Sequence, residues 1–221
     1  LLKHIPNALT LMRLILAPVI AWNMLNAVID RAFFIYVPEG HEVEFLRSIA
    51  DDLTLVAVLF IVAALTDLFD GIAARAFNAH SKLGRIIDPI ADKALVGFPL
   101  IAIALCWWNG LMPLWQIVML ATAIIVIRDV TMTVVRLRSP DGEGARVSSL
   151  AKWKTALELV VIGSFLVVSA IGAHMESDNP TKLYHLDYAQ PLELIWLGAL
   201  VITAALSAYT GWQYLRPAKK G

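Results

Sequence analysis

The stretch Asp67-Leu68-Phe69-Asp70-Gly71-Ile72-Ala73-Ala74-Arg75, followed eight residues later by Gly84-Arg85-Ile86-Ile87-Asp88-Pro89-Ile90-Ala91-Asp92, sets four carboxylates where two apolar runs meet. Asp67 and Asp70 are three apart and Asp88 and Asp92 four apart, so on helices each pair shares one face. The loop between them, roughly 77–83, is short enough to make the two helices antiparallel neighbours. Leu53 to Leu65 leads in as an almost wholly apolar run, and a second apolar run leaves from Ala94. The spacing therefore predicts a quartet of acids between two helix ends, beside a membrane.

Six apolar stretches extend this reading over the chain, at roughly 8–29, 53–74, 85–108, 111–137, 148–173 and 190–214. Each is near the ~20 residues that cross a bilayer as a helix. Apolar residues make up 59% of the 221 and charged ones only 16%, against about 45–50% apolar in soluble domains. Mean hydropathy is +0.70. The expected fold is thus an all-α membrane protein, one six-helix transmembrane domain over 1–221. A net charge of zero gives no support to a nucleic-acid partner, and the one cysteine, Cys106, precludes an internal disulfide or a Cys-rich zinc site.

Charge is distributed unevenly along these stretches. Helices two and four meet their charges at their ends (Asp67 and Asp70; Arg128 and Asp129), and helices three and five at their starts (Asp88 and Asp92; Lys152 and Lys154). In an up-down bundle those ends lie on one side. The same side gathers Lys3, Arg75, Lys82, Arg85, Arg136, Arg138, Arg146, Arg216, Lys219 and Lys220, whereas the opposite connections hold only Arg31, Arg47 and Lys182. The excess of Lys and Arg predicts that this side and both termini are cytoplasmic, in a multi-pass protein of the plasma or inner membrane. Glu39, Glu42, Glu44, Asp51, Asp52, Glu176, Asp178 and Asp187 then read as solvated charges of opposite-side loops, of which 30–52 and 174–190 look long.

Four clustered carboxylates at membrane depth repel one another, and a single charge at a helix centre already costs about 2.5–3.5 kcal/mol on insertion scales. Either some are protonated or cations compensate them. Oxygen ligands without Cys or His nearby favour Mg²⁺, Mn²⁺ or Ca²⁺, and such ions beside carboxylates commonly handle phosphates. Gly71, Ala74 and Gly84 leave room for a ligand, or for close helix packing; Arg75 can meet a phosphate or reach to the interface.

Together these residues resemble the signature of the CDP-alcohol phosphotransferase family, D-x2-D-G-x2-A-R-x8-G-x3-D-x3-D, matched at Asp67, Asp70, Gly71, Ala74, Arg75, Gly84, Asp88 and Asp92. The resemblance implies the family's six-helix fold and a metal-dependent transferase acting on CDP-diacylglycerol in phospholipid biosynthesis. It implies two divalent ions, Mg²⁺ or Mn²⁺, held by Asp67, Asp70, Asp88 and Asp92. It implies that Asp67, Asp70, Gly71, Ala74, Arg75, Gly84 and Asp88 surround the cytidine diphosphate, that Asp92 is the general base, and that the protein is a homodimer in membrane lipid.

For the acceptor, Ile5-Pro6-Asn7-Ala8-Leu9-Thr10-Leu11-Met12-Arg13, Ile127-Arg128-Asp129-Val130 with Arg136, and Lys152-Trp153-Lys154-Thr155 resemble members that use glycerol 3-phosphate, although Ala151 stands where those members usually have glycine. An anionic acceptor needs cations, and Arg13, Arg128, Arg136, Lys152 and Lys154 are the candidates; Arg128 can instead pair with Asp129. Phosphatidylglycerol, serine and inositol phosphate are alternative acceptors. An ion-coupled transporter is the alternative of another class, but the chain shows none of the internal repeats common in transporters.

Overall fold

A computed structural model describes residues 5–77, 84–109, 114–138, 149–178 and 189–215; several helix-end residues, including Asp67, Asp70, Gly71, Ala74, Arg75, Gly84, Arg136 and Lys152, are described by their backbone alone. The described residues form six long helices with no strand: α1 (Ile5–Ala32), α2 (Glu42–Phe77), α3 (Gly84–Asn109), α4 (Trp115–Arg138), α5 (Ser149–Asp178) and α6 (Ala189–Leu215). A 3₁₀ turn, Phe34–Tyr36, lies between α1 and α2. All six contain apolar spans of 21 to 26 residues, the length that closes every backbone hydrogen bond within one segment across hydrocarbon.

Trp22, Leu120, Ile127, Val160, Ile195 and Ile202 are all more than half exposed. Such a belt of large apolar side chains, here on α1, α4, α5 and α6, is a lipid-facing surface, not a surface for water. Inside, Ile20, Met24, Phe60, Leu95, Ile103, Ile125, Ile162 and Leu200 form one core drawn from all six helices. Within it Trp196 packs between Trp107 and Phe165, with centroids 5.6 and 4.9 Å away and ring planes tilted by 31° and 49°. Its indole N–H donates to the Val161 carbonyl at 2.8 Å, so the polar edge of the ring is not stranded in the core.

Polar contacts fix which helix ends lie together. At one end Arg31 of α1 pairs with Glu176 of α5 at 2.6 Å, and Arg47 of α2 with Asp178 of α5 at 3.3 Å. At the other, the starts of α1 and α3 meet through Arg13 and Asp92, and the start of α5 meets the end of α4 through Lys154 and Asp129. The chain therefore runs up and down. Asp67 is 20 residues beyond Arg47 in the unbroken α2, about 30 Å along the axis. Arg13 is 18 residues before Arg31 in α1, about 27 Å. The α2 end that carries Asp67 and Asp70 thus reaches the layer of Asp88 and Asp92.

Two boundaries differ from the sequence reading. The long loop expected over 30–52 is mostly helix: α2 begins at Glu42, so Glu42, Glu44, Asp51 and Asp52 are helical rather than loop charges. Apolarity marks where a helix meets lipid, not where it starts. Glu42 and Glu44 in the first turn oppose the positive end of the helix dipole, and Glu42 accepts the Gly40 N–H at 2.8 Å. Gly40 itself takes φ 89°, a left-handed turn that favours glycine. Likewise α5 runs on to Asp178, because Glu176 and Asp178 find the α1 and α2 arginines.

Candidate active site

Asp88 and Asp92 stand one turn apart on α3 and both face α1. The Thr10 hydroxyl donates to Asp88 Oδ1 at 2.6 Å, and Arg13 Nη1 to Asp92 Oδ1 at 2.9 Å. α1 and α3 run in the same direction here, so one turn of α1 (Thr10, Arg13) matches one turn of α3. Arg13 is 2% exposed and the Asp92 side chain 40%: the guanidinium is sealed in the bundle while the carboxylate it steers looks out. Pro89 sits between the two acids; without an N–H it makes no bond to the Arg85 carbonyl, which loosens the helix where the acids project.

A second set of charges lies behind this face. Lys93, the residue after Asp92, reaches Asp129 Oδ2 of α4 at 2.7 Å. Asp129 Oδ1 accepts from Arg128 Nη1 at 2.9 Å and from Lys154 of α5. Lys154 Nζ also lies 2.8 Å from Glu158 Oε1, both side chains only 1% exposed, in an ion pair without hydrogen-bond alignment. Arg128 Nη2 donates to Thr210 of α6 at 3.1 Å. Three cations and two carboxylates thus join α3, α4, α5 and α6. Charges so deep in a bundle are tolerable only when paired in this way.

Among the candidate acceptor cations, the structure gives Arg13 and Lys154 carboxylate partners instead of presenting them to open space. Arg128 pairs with Asp129, the alternative its sequence neighbour suggested. Arg136 lies in the last turns of α4 and Lys152 in the first turn of α5. Thr10, Lys93 and Glu158 were missed. Glu158 had a visible signal, a carboxylate four residues after Lys154 in an otherwise apolar helix, and Thr10 stood in the quoted stretch that leads to Arg13; Lys93 had none, since its partner is remote in sequence.

The described pair suits a hard divalent cation: oxygen donors only, on one helix face, each oriented by a hydrogen bond from α1. Asp67 and Asp70 enter the same layer on the α2 backbone. Among the described residues no three His, Cys, Asp or Glu side chains converge; the expectation that Asp67 and Asp70 join Asp88 and Asp92 falls on side chains outside the described part. A niche of about 580 Å³ at the opposite end, lined by Phe33, Tyr36, His41 and Phe45 among others, contains no residue of the motif.

Six membrane-length helices with an acid-bearing α2–α3 junction at one end define an integral membrane enzyme, and comparison with known proteins agrees. The CDP-alcohol phosphatidyltransferase family model matches residues 3–205. A CDP-diacylglycerol–glycerol-3-phosphate 3-phosphatidyltransferase of Cereibacter sphaeroides is 34% identical over 97% of this chain and 95% of its own length. Proteins of the same name from Rickettsia felis and Bacillus subtilis are 30% and 28% identical, over 99% and 96% of this chain and 97% and 93% of their own lengths. The chain belongs to the CDP-alcohol phosphatidyltransferase family. Membership makes it a transferase and leaves the transporter alternative without support.

Proposed function

We propose that this chain transfers the phosphatidyl group of CDP-diacylglycerol to a hydroxyl of sn-glycerol 3-phosphate, giving phosphatidylglycerophosphate and CMP. The observation that carries the site is the paired anchoring of Asp88 and Asp92 by Thr10 and Arg13; the names of the similar proteins carry the acceptor. Two divalent ions, Mg²⁺ or Mn²⁺, held by Asp67, Asp70, Asp88 and Asp92 would supply charge neutralisation at the pyrophosphate.

The chain's own residues do the rest. Asp92, steered by Arg13 and 40% exposed, takes the proton of the acceptor hydroxyl. The acceptor oxygen bonds to the phosphorus that bears diacylglycerol, the bond from that phosphorus to the bridging oxygen breaks, and CMP leaves with the electron pair. Gly71, Ala74 and Gly84 leave space along α2 and α3 for the cytidine diphosphate, and Arg75 meets its phosphates. The acceptor phosphate falls to Arg136 and Lys152, joined by Arg128 where it exchanges Asp129 for the phosphate; Arg13 and Lys154 serve carboxylates. Cytoplasmic termini, a cytoplasmic site and a homodimer belong to the same proposal, supported by the Lys and Arg asymmetry and by the family resemblance.

An acceptor panel with labelled CDP-diacylglycerol tests this. Glycerol 3-phosphate, serine, inositol phosphate and phosphatidylglycerol are supplied singly with Mg²⁺ or Mn²⁺. Label should move to lipid-linked glycerophosphate alone. Turnover with another acceptor and none with glycerol 3-phosphate would replace the acceptor and keep the class.

A further inference from the structure

We propose that Lys93 is a positioning residue: through Asp129 it fixes the rotation of α3, and so the direction in which Asp88 and Asp92 face the reacting groups. The inference rests on the reading of those two aspartates as the reaction site. A helix turns about 100° per residue, so Lys93 leaves α3 on a different side from Asp92. Its ammonium crosses to Asp129 Oδ2 at 2.7 Å. Asp129 is in turn held by Arg128 and Lys154, and Arg128 by Thr210. On its other flank α3 is held by Thr10 and Arg13 of α1. The turn bearing the acids is thus clamped from two directions.

Two features separate this role from general stabilisation. Pro89 weakens the ladder of α3 at that turn, so its orientation depends on outside anchors. The charge count is the second. Without Lys93 the buried cluster would still balance, with Arg128 and Lys154 against Asp129 and Glu158. The Lys93 charge is surplus to neutralisation, and its side chain, 21% exposed, is the least buried cation of the cluster. What it adds is the link from α3 to α4.

Lys93→Met tests this, because it cuts the link and leaves a balanced cluster that keeps the bundle folded. In reconstituted vesicles its kcat for CMP release should fall about ten-fold or more, with the KM for glycerol 3-phosphate within about two-fold. Its Mn²⁺ affinity, read from the resonance signal of free Mn²⁺, should weaken about ten-fold. Lys93→Arg should recover most of both. Combining Lys93→Met with Asp129→Asn should do no more than the worse single change, since both cut one link. Wild-type kcat and Mn²⁺ affinity in Lys93→Met would overturn the inference. So would a raised acceptor KM at normal kcat, which would put Lys93 on the substrate, or additive losses in the double variant. If the wild-type protein released CMP with no acceptor at all, the functional reading would fall, and the Mn²⁺ measurement would still decide the role of Lys93.

Discussion

Arg13 and Asp92, 79 residues apart in sequence, meet in an ion pair of 2.9 Å whose cation is sealed in the bundle while its carboxylate is 40% exposed. That asymmetry suits a site residue: a cation fixed inside the protein orients a carboxylate that stays exposed at the bundle surface. Arg13→Lys keeps the charge but loses the planar fork, and a displacement of about 1 Å at a reacting carboxylate is worth about a hundred-fold in rate. The expected result is a kcat for CMP release lower by about that factor, with the KM for CDP-diacylglycerol little changed. A raised KM for glycerol 3-phosphate at normal kcat would return Arg13 to the acceptor phosphate.

Asp92→Asn replaces the proposed base with a near-isosteric amide. General-base contributions run to about 10²–10⁴-fold, so turnover should fall at least into that range while nucleotide retention, measured by binding of labelled CDP-diacylglycerol, persists. Full turnover in this variant would remove Asp92 from proton transfer.

Thr10→Val keeps shape and removes the hydroxyl that donates to Asp88. Loss of an outer partner of a metal-binding carboxylate typically weakens affinity by about 10–100-fold. Mn²⁺ titration should show a loss in that range, and Thr10→Ser should retain most of the affinity. Equal affinity in Thr10→Val would mean that Asp88 needs no orientation from α1.

The shared face of Asp88 and Asp92 and the six spans were legible because both rest on local sequence: a four-residue spacing that puts the two acids on one face, and apolar runs of membrane length. The start of α2 at Glu42 was not, because Asp51 and Asp52 are exposed and interrupt apolarity without interrupting the helix. The partners of the site were not legible either. Thr10 with Asp88 and Lys93 with Asp129 depend on which helices are neighbours and on their rotation, which a single chain of residues does not state. Arg13 and Lys154 were visible as cations, but burial decides whether a cation greets a substrate or neutralises a carboxylate.

The far end of the bundle offers a contrast. The Arg31–Glu176 pair links α1 to α5 with 32% and 14% of the side chains exposed. Partly exposed pairs contribute about 0.2–1 kcal/mol. Arg31→Gln should therefore lower Tm by no more than a few degrees and leave kcat unaltered, in a thermal scan paired with the CMP assay. A large loss of kcat would show that the two ends are coupled through α1.

Gly211 on α6 is the position where added volume acts on Arg128. A Cβ there would lie 2.9 Å from Cγ of Arg128, in the middle of that side chain rather than at its mobile tip. Arg128 is also tied at its end to Asp129 and Thr210, so it cannot swing away without breaking one of those bonds. Overpacking of this kind costs about 1–3 kcal/mol. If Arg128 serves the acceptor phosphate, Gly211→Ala should raise the KM for glycerol 3-phosphate several-fold while the KM for CDP-diacylglycerol stays near the wild-type value. Loss of thermal stability with both KM values unchanged would make Arg128 a brace between α4 and α6 and leave the acceptor phosphate to Arg136 and Lys152.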